Sequence, residues 1–207
     1  MSDHQKYMSD ISEIRNIMEK SSRFLSLSGL SGVLAGTYAL IGAYIAYRTF
    51  YFSDEIIYSS IKEGVITEKV TLLIILALSI LLLALGTAAV LSYRKSKKKD
   101  LPFWNSTAKR LSVNLMIPLV AGGILILILF AKGALGLIAP LTLIFYGLSL
   151  VNASKYTYED VRTLGIIEIV LGLLSAWFIG YGLLFWAFGF GVMHIIYGIV
   201  VYMKYER

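Results

Sequence analysis

Glu168 and His194 are the residues whose types and positions best fit chemistry. Each lies in a long apolar run, thirteen residues from Tyr181 in the short turn between the two runs. If the runs form antiparallel helices, the carboxyl group and the imidazole lie at the same depth. Ionisable groups in hydrocarbon are energetically costly, so the pair predicts a functional site within a membrane.

The pair has two interpretations. In the first, the two residues form either a neutral pair or an ion pair. These two states differ by the position of one proton, which suits a proton relay or a pH-sensitive switch. Alternatively, His194 bonds a backbone carbonyl and Glu168 bonds Ser175 or a tyrosine, and these bonds only lock helices together. Small residues flank both on one helical face, which directs them into a helix bundle.

The composition predicts membrane-spanning helices that would hold this pair in a bilayer. The chain has 207 residues, is 57% hydrophobic and has a mean hydropathy of +0.75, which is too apolar for a soluble domain. A membrane-spanning helix needs about 20 apolar residues. Six runs approach or exceed this length: 24–50, 70–93, 111–131, 135–153, 164–179 and 183–202.

These runs predict an all-α integral membrane protein. Its six transmembrane helices form three helical hairpins, 24–93, 110–156 and 162–205, in one domain covering residues 24–207. A cytoplasmic amphipathic helix over 1–23 precedes them at the membrane interface. The pairs Tyr146-Gly147 and Tyr197-Gly198 recur at similar distances after Arg110 and Arg162, which predicts an internal repeat.

The third and fourth spans carry a second polar pair. Pro118 removes a helical hydrogen bond and frees the carbonyl of Asn114, four residues earlier. Asn114 and Asn152 each lie nineteen residues from Gly133, so they are expected to meet across the hairpin. Asn105 or Ser106 is expected to cap the third helix.

Basic residues predict the orientation. With both termini in the cytoplasm, fifteen of the nineteen Lys and Arg residues lie inside, which favours a multi-pass protein of the plasma (bacterial inner) membrane. Residues 51–69 form the long outer loop, and the second span is expected to face lipid. We expect anionic lipid as a partner, a homo-oligomer as an option, and no nucleic acid. The expected headgroup contacts are Lys95, Lys97, Lys98, Lys99 and Trp104.

Other chemistries find no support in the sequence. There is no cysteine, and of the two histidines His4 lies in the N-terminal tail. No zinc ligand set, phosphate-binding loop or nucleophile motif is visible. We therefore expect no catalytic residue, metal or cofactor.

The last hairpin resembles a known family. The segments 188–192 (FGFGV) and 194–198 (HIIYG) are similar to those of small six-span bacterial membrane proteins of the acid-resistance (HdeD-like) type. The resemblance implies a stress-related membrane protein without known catalytic residues. The expected function is a non-enzymatic membrane protein acting through lipid or protein partners. The alternative is a small transporter or channel, proton-coupled through Glu168 and His194.

Overall fold

The computed structural model describes residues 27–50, 68–98 and 104–207, and within these ranges the chain is helical without strands. The predicted helix over 1–23, Lys99 and nearly all of the loop 51–69 lie outside them. Near the C-terminus, a π-helical segment, Ala187–Met193, lies between two α-helical parts of one long helix. The helices are α1 (Gly29–Phe50), α2 (Glu68–Lys98), α3 (Ser106–Ala131), α4 (Ile138–Ala153), α5 (Asp160–Trp177) and α6 (Gly182–Tyr205).

Five of these helices are long and apolar enough to cross a membrane: α1, α2, α3, α6, and α4 with its flanking turns. Helix α5 has 18 residues, among them Asp160, Arg162 and Glu168. Its length and charge leave the sixth span a prediction. The five apolar helices are what a membrane-embedded protein requires.

Helix starts and turns follow local chemistry. Asn105 caps α3 as expected, since its Oδ1 accepts a hydrogen bond from the backbone N–H of Ala108 at 2.7 Å. Pro140 lies in the first turn of α4, where its missing N–H removes no helical bond. The α3–α4 and α5–α6 turns contain Gly133 and Gly180, whose positive φ angles of 74° and 109° favour glycine.

Glycines bring two helix pairs into close contact. A Cβ on Gly198 of α6 would lie 2.5 Å from the carbonyl oxygen of Gly29 on α1. A Cβ on Gly147 of α4 would lie 2.5 Å from the carbonyl oxygen of Gly165 on α5. Such approach gives dense packing where the hydrophobic effect does not drive helix association. On α1, the small residues Ala39 and Ala46 are also buried.

Helix α2 faces outward and is longer than the sequence pattern predicts. Its apolar window has no buried residues, which fits the expected lipid-facing helix. It packs on α1, where a Cβ on Gly42 would collide with the side chain of Ile80. The helix continues to Lys98, so Lys95, Lys97 and Lys98 lie on a helix and not in a loop.

The carbonyl freed by Pro118 receives a donor. Asn152 Nδ2 on α4 donates to the Asn114 carbonyl oxygen on α3 at 2.8 Å. The asparagines thus meet as their spacing predicts, through one side chain and one backbone group. The other amide, Asn114 Nδ2, turns back to the carbonyl of Arg110 at 2.8 Å.

Replacement of Asn152 by alanine is therefore expected to destabilise the α3–α4 contact by about 1 kcal/mol, a typical value for an interhelical hydrogen bond in a membrane. The unfolding midpoint in detergent micelles measures this loss. Pro118→Ala supplies a backbone N–H for the Asn114 carbonyl, so Asn152→Ala should cost less in that background. An equal loss in both backgrounds would show that the Asn152 contact does not compensate for the proline.

Four chain segments meet at one end of the bundle, in a cluster called here the clasp (Lys95, Tyr158, Asp160, Tyr205 and Glu206). The Gly29 backbone N–H donates to Glu206 Oε1 at 2.6 Å. Lys95 Nζ donates to the same carboxylate at 3.0 Å and to the carbonyl oxygen of Leu27 at 2.6 Å. The ammonium of Lys95 is thus turned inward and its side chain is 11% exposed, while its expected headgroup role stays a prediction.

A second set of clasp contacts ties the start of α5 to the end of α6. Asp160 accepts hydrogen bonds from Tyr205 Oη at 2.8 Å and from Lys204 Nζ at 3.1 Å. The Tyr205 ring stacks on Tyr158 at a centroid distance of 4.1 Å. Burial, with a smaller effect from nearby Glu206, raises the pKa of Tyr158 to about 12. The clasp therefore marks one end of the bundle, and the 178–181 turn marks the other.

Acid is expected to loosen the clasp through Asp160. Burial alone would raise the pKa of this carboxyl group, but hydrogen bonds from Tyr205 and Lys204 outweigh it and hold the pKa below 3.8. A depressed folded-state pKa adds stability that is fully present above the unfolded value and lost as pH falls through the folded value. Unfolding midpoints from about pH 6 to about pH 3 should therefore fall less steeply in Asp160→Asn than in wild type. Glu68→Gln, on an exposed residue, is the control; equal slopes for wild type and Asp160→Asn would contradict this role.

Candidate functional site: a buried acid, histidine and tyrosine

Three helices supply the site. Glu168 comes from the middle of α5, His194 from α6, and Tyr146 from α4. His194 follows directly after the π-helical segment Ala187–Met193. Such segments are rare and occur often at functional sites, where the wider coil repositions side chains.

The imidazole of His194 contacts a polar group at each nitrogen. Nε2 lies 2.8 Å from Tyr146 Oη. Nδ1 lies 3.1 Å from the carbonyl oxygen of Gly189 and 3.4 Å from Glu168 Oε1. The Gly189 carbonyl can only accept, so Nδ1 carries a proton to donate to it. In a neutral ring Nε2 then accepts from the Tyr146 hydroxyl.

Glu168 is the least satisfied polar group of the site. Its side chain is fully buried, and neither carboxyl oxygen has a hydrogen-bond partner within the described part of the chain; the contact with His194 is longer and weaker. Buried polar groups are normally paired, and each exception in a native structure requires an explanation. A carboxyl group that must gain a proton or a water molecule to become satisfied is one such explanation.

The α5–α6 register differs from the one expected. A Cβ on Gly189 would lie 2.5 Å from Glu168 Oε2, so a larger residue there would displace the carboxyl group. Seven residues closer to the turn on each helix, Gly182 faces Ser175. The distance from the Cβ position of Gly182 to Ser175 Oγ is 3.9 Å. Glu168 therefore lies opposite Gly189 rather than His194. The imidazole still reaches it because helical side chains point toward the helix N-terminus.

The other predicted site residues are distributed as follows. Ser175 does not bond Glu168; it is fully buried and its hydroxyl has no hydrogen-bond partner. Asn114 and Asn152 form the separate α3–α4 contact. Lys97, Lys98 and Trp104 are exposed.

Tyr146 is a site residue that the sequence interpretation did not select. It served only as a repeat marker, with Gly147. Yet it lies thirteen residues from the turn glycine Gly133, the same separation as Glu168 and His194 from Tyr181. This matched separation was a signal in the sequence, although the α5–α6 turn is centred nearer 178–179 than Tyr181.

The arrangement can hold and exchange a proton. Tyr146 Oη, the two His194 nitrogens and Glu168 Oε1 form a continuous series of protonatable atoms. Phe190 stacks on His194 at a centroid distance of 5.7 Å, and Trp186 lies 5.1 Å from Phe190. This aromatic cover shields the imidazole on one side, and the site has the features of proton-handling sites in membrane bundles.

Fold and site together define a helical membrane protein with an ionisable core. Comparison of the chain with known protein families, curated proteins and solved structures gives no match. The resemblance of residues 188–198 to HdeD-like proteins therefore stays a prediction.

Proposed function

We propose that this chain is a non-enzymatic integral membrane protein that responds to protons through Glu168, His194 and Tyr146 and acts on lipid or protein partners. The observation that carries the proposal is the fully buried carboxyl group of Glu168, which has no hydrogen-bond partner among the described residues and lies 3.4 Å from the imidazole of His194. Protonation decides whether that carboxyl group is an acceptor only or also a donor. A proton therefore changes which contacts between α5 and α6 are favourable.

The proposal includes α5 as a sixth span, with the clasp end in the cytoplasm. Support comes from the clasp, which gathers the start of α1 and the ends of α2 and α6 at one end of the bundle. In this arrangement the basic residues at the end of α2 lie inside. Three helical hairpins would include the contacts of α1 with α2, α3 with α4, and α5 with α6. The most extensive contacts, α4 with α5 and α1 with α6, then lie between hairpins.

The titratable groups around Glu168 are few among the described residues. His194 faces it from α6, and Tyr146 contributes from α4. Tyr197, one turn from His194, packs toward Gly32 of α1, 3.3 Å from its Cβ position. A pH response in the core therefore depends on Glu168 and His194, since tyrosines titrate in a far more alkaline range.

A single-tryptophan variant tests this response. With Trp104 and Trp177 replaced by phenylalanine, Trp186 reports on His194 through Phe190. We expect its emission in lipid nanodiscs to change with pH, and the change to disappear in Glu168→Gln.

Asp160→Asn is the matched control, because it neutralises a carboxylate of the clasp and leaves the core intact. It should retain the change in Trp186 emission. A Glu168→Gln variant with the full pH response would overturn the proposal.

Proton-coupled transport is the second candidate function. It is favoured by the continuous series of protonatable atoms across three helices. In liposomes with an imposed pH gradient, wild type should then dissipate the gradient faster than Glu168→Gln. Equal rates would remove transport while leaving the response to protons untouched.

A further inference from the structure

The two ends of the bundle differ in what lies between Glu168 and water. Toward the clasp, the buried face of α5 continues with Leu164 and Val161, which are 5% and 4% exposed. Val201, two turns from His194 on α6, is completely buried, and Leu150 of α4 joins the same cluster. These four side chains, called here the apolar plug, separate the site from the clasp.

Toward the 178–181 turn, the same face of α5 is small and polar. Gly172 is followed by Ser175, a hydroxyl that is fully buried and has no hydrogen-bond partner. Gly182 and Gly189 stand opposite Ser175 and Glu168. Gly172 itself is covered by Pro140 and Ile144 of α4, so the contacts of this face with α6 are those of Glu168 and Ser175.

The carboxyl group of Glu168 and the hydroxyl group of Ser175 lie on one buried face and have no hydrogen-bond partner among the described residues. They require a partner that can both accept and donate. Water meets this need, and buried waters typically make about three bonds to otherwise unsatisfied polar groups. Gly182 and Gly189 add no side chain of their own to the facing wall, where their neighbours include Ala139 and Leu143 of α4.

On the other side of the site, the four side chains of the plug offer water no polar partner. The hydroxyl groups there include that of Tyr158, in the same cluster, and those of Tyr146 and Tyr197, which pack against it.

We infer that Glu168 exchanges its proton with the turn end of the bundle, through water held between α5 and α6 at Ser175, and that the apolar plug closes the site toward the clasp. The inference rests on the proposed function, because it names the side from which the proton site is reached. It assigns Ser175 and Gly182 to the proton route and Leu164 and Val201 to the barrier.

The natural absence of cysteine allows a direct test of access. Single cysteines are introduced as Ser175→Cys and Leu164→Cys. Tyr181→Cys and Lys155→Cys, on exposed residues, mark the turn end and the clasp end. Ag⁺, a thiol-binding ion of nearly water size, is added in chloride-free buffer to one side of oriented vesicles. Maleimide labelling after solubilisation then reports which thiols Ag⁺ protected.

We expect Ag⁺ to protect Ser175→Cys from the side that protects Tyr181→Cys, and to leave Leu164→Cys unprotected from both sides. Adding Glu168→Leu should slow protection of Ser175→Cys at least tenfold, because the water loses a polar partner. Gly182→Cys, on the facing wall, gives a second reading if Ser175→Cys does not fold.

Protection of Leu164→Cys from the Lys155 side, or of neither core cysteine, would overturn the inference. The proposed function is judged separately. A pH response of Trp186 that depends on Glu168 would stand even if the access pattern were reversed. Conversely, a water route confirmed by Ag⁺ protection would stand even if the emission of Trp186 did not change with pH.

Discussion

Replacement of Gly198 by alanine is expected to force α1 and α6 apart. The new Cβ would lie 2.5 Å from both the Gly29 carbonyl oxygen and the Val33 backbone nitrogen. Backbone atoms cannot rotate away as a flexible side chain can, so the helices must shift. Overpacking typically costs about 1–3 kcal/mol, and a clash with backbone belongs at the upper end. Unfolding midpoints in detergent micelles measure the loss.

Gly123→Ala is the matched control, since its Cβ would have no neighbour within 4 Å. Alanine is favoured over glycine in a helix by about 1 kcal/mol, so this variant should be as stable as wild type or more so. Equal stability of Gly198→Ala and Gly123→Ala would contradict the close α1–α6 contact.

Replacement of His194 by leucine is expected to have the other large effect. It removes the His194 imidazole that lies 3.4 Å from Glu168 and the partner of Tyr146 Oη. Breaking a buried pair by removing one member costs about 3–5 kcal/mol, whereas apolar replacement of both members is often nearly neutral. With Tyr146→Phe present throughout, Glu168→Leu/His194→Leu should therefore be more stable than His194→Leu alone.

Chemical unfolding of the two variants in the same micelles measures this difference. If the double variant were no more stable than His194→Leu, Glu168 would be satisfied by other groups. The proton site would then lose its main physical support.

The sequence predicts the polar contacts better than their geometry. Distance from a turn correctly indicated that Asn152 meets Asn114, because an antiparallel pair fixes relative depth. The same argument brought Glu168 near His194, although the turn is centred closer to 178–179 than to Tyr181. Since Gly189 faces Glu168, the imidazole reaches the carboxyl group by pointing back along α6.

Long-range contacts explain what the sequence could not indicate. Lys95 belongs to a run of lysines typical of headgroup contact, yet it binds Glu206, 111 residues away. Nothing local distinguishes it from exposed Lys97. The π-helical segment likewise lies in a glycine-rich apolar stretch that ordinary helical periodicity describes as continuous.

The predicted repeat is a further case. Gly147 and Gly198 each pack against the backbone of a glycine on another helix, as equivalent positions of a repeat would. The tyrosines before them differ, for Tyr146 bonds His194 while Tyr197 packs toward Gly32. The repeat stays a prediction, and its two copies have different roles in the site.

The most direct test of the central proposal is the pH-difference infrared spectrum of the protein in lipid. The carbonyl stretch of a protonated carboxyl group is separate from that of a carboxylate, so the spectrum reports titration of a single glutamate when wild type is compared with Glu168→Gln. We predict a titrating carboxyl band in wild type that is missing in Glu168→Gln and retained in Asp160→Asn. Identical pH-difference spectra for wild type and Glu168→Gln would contradict the account.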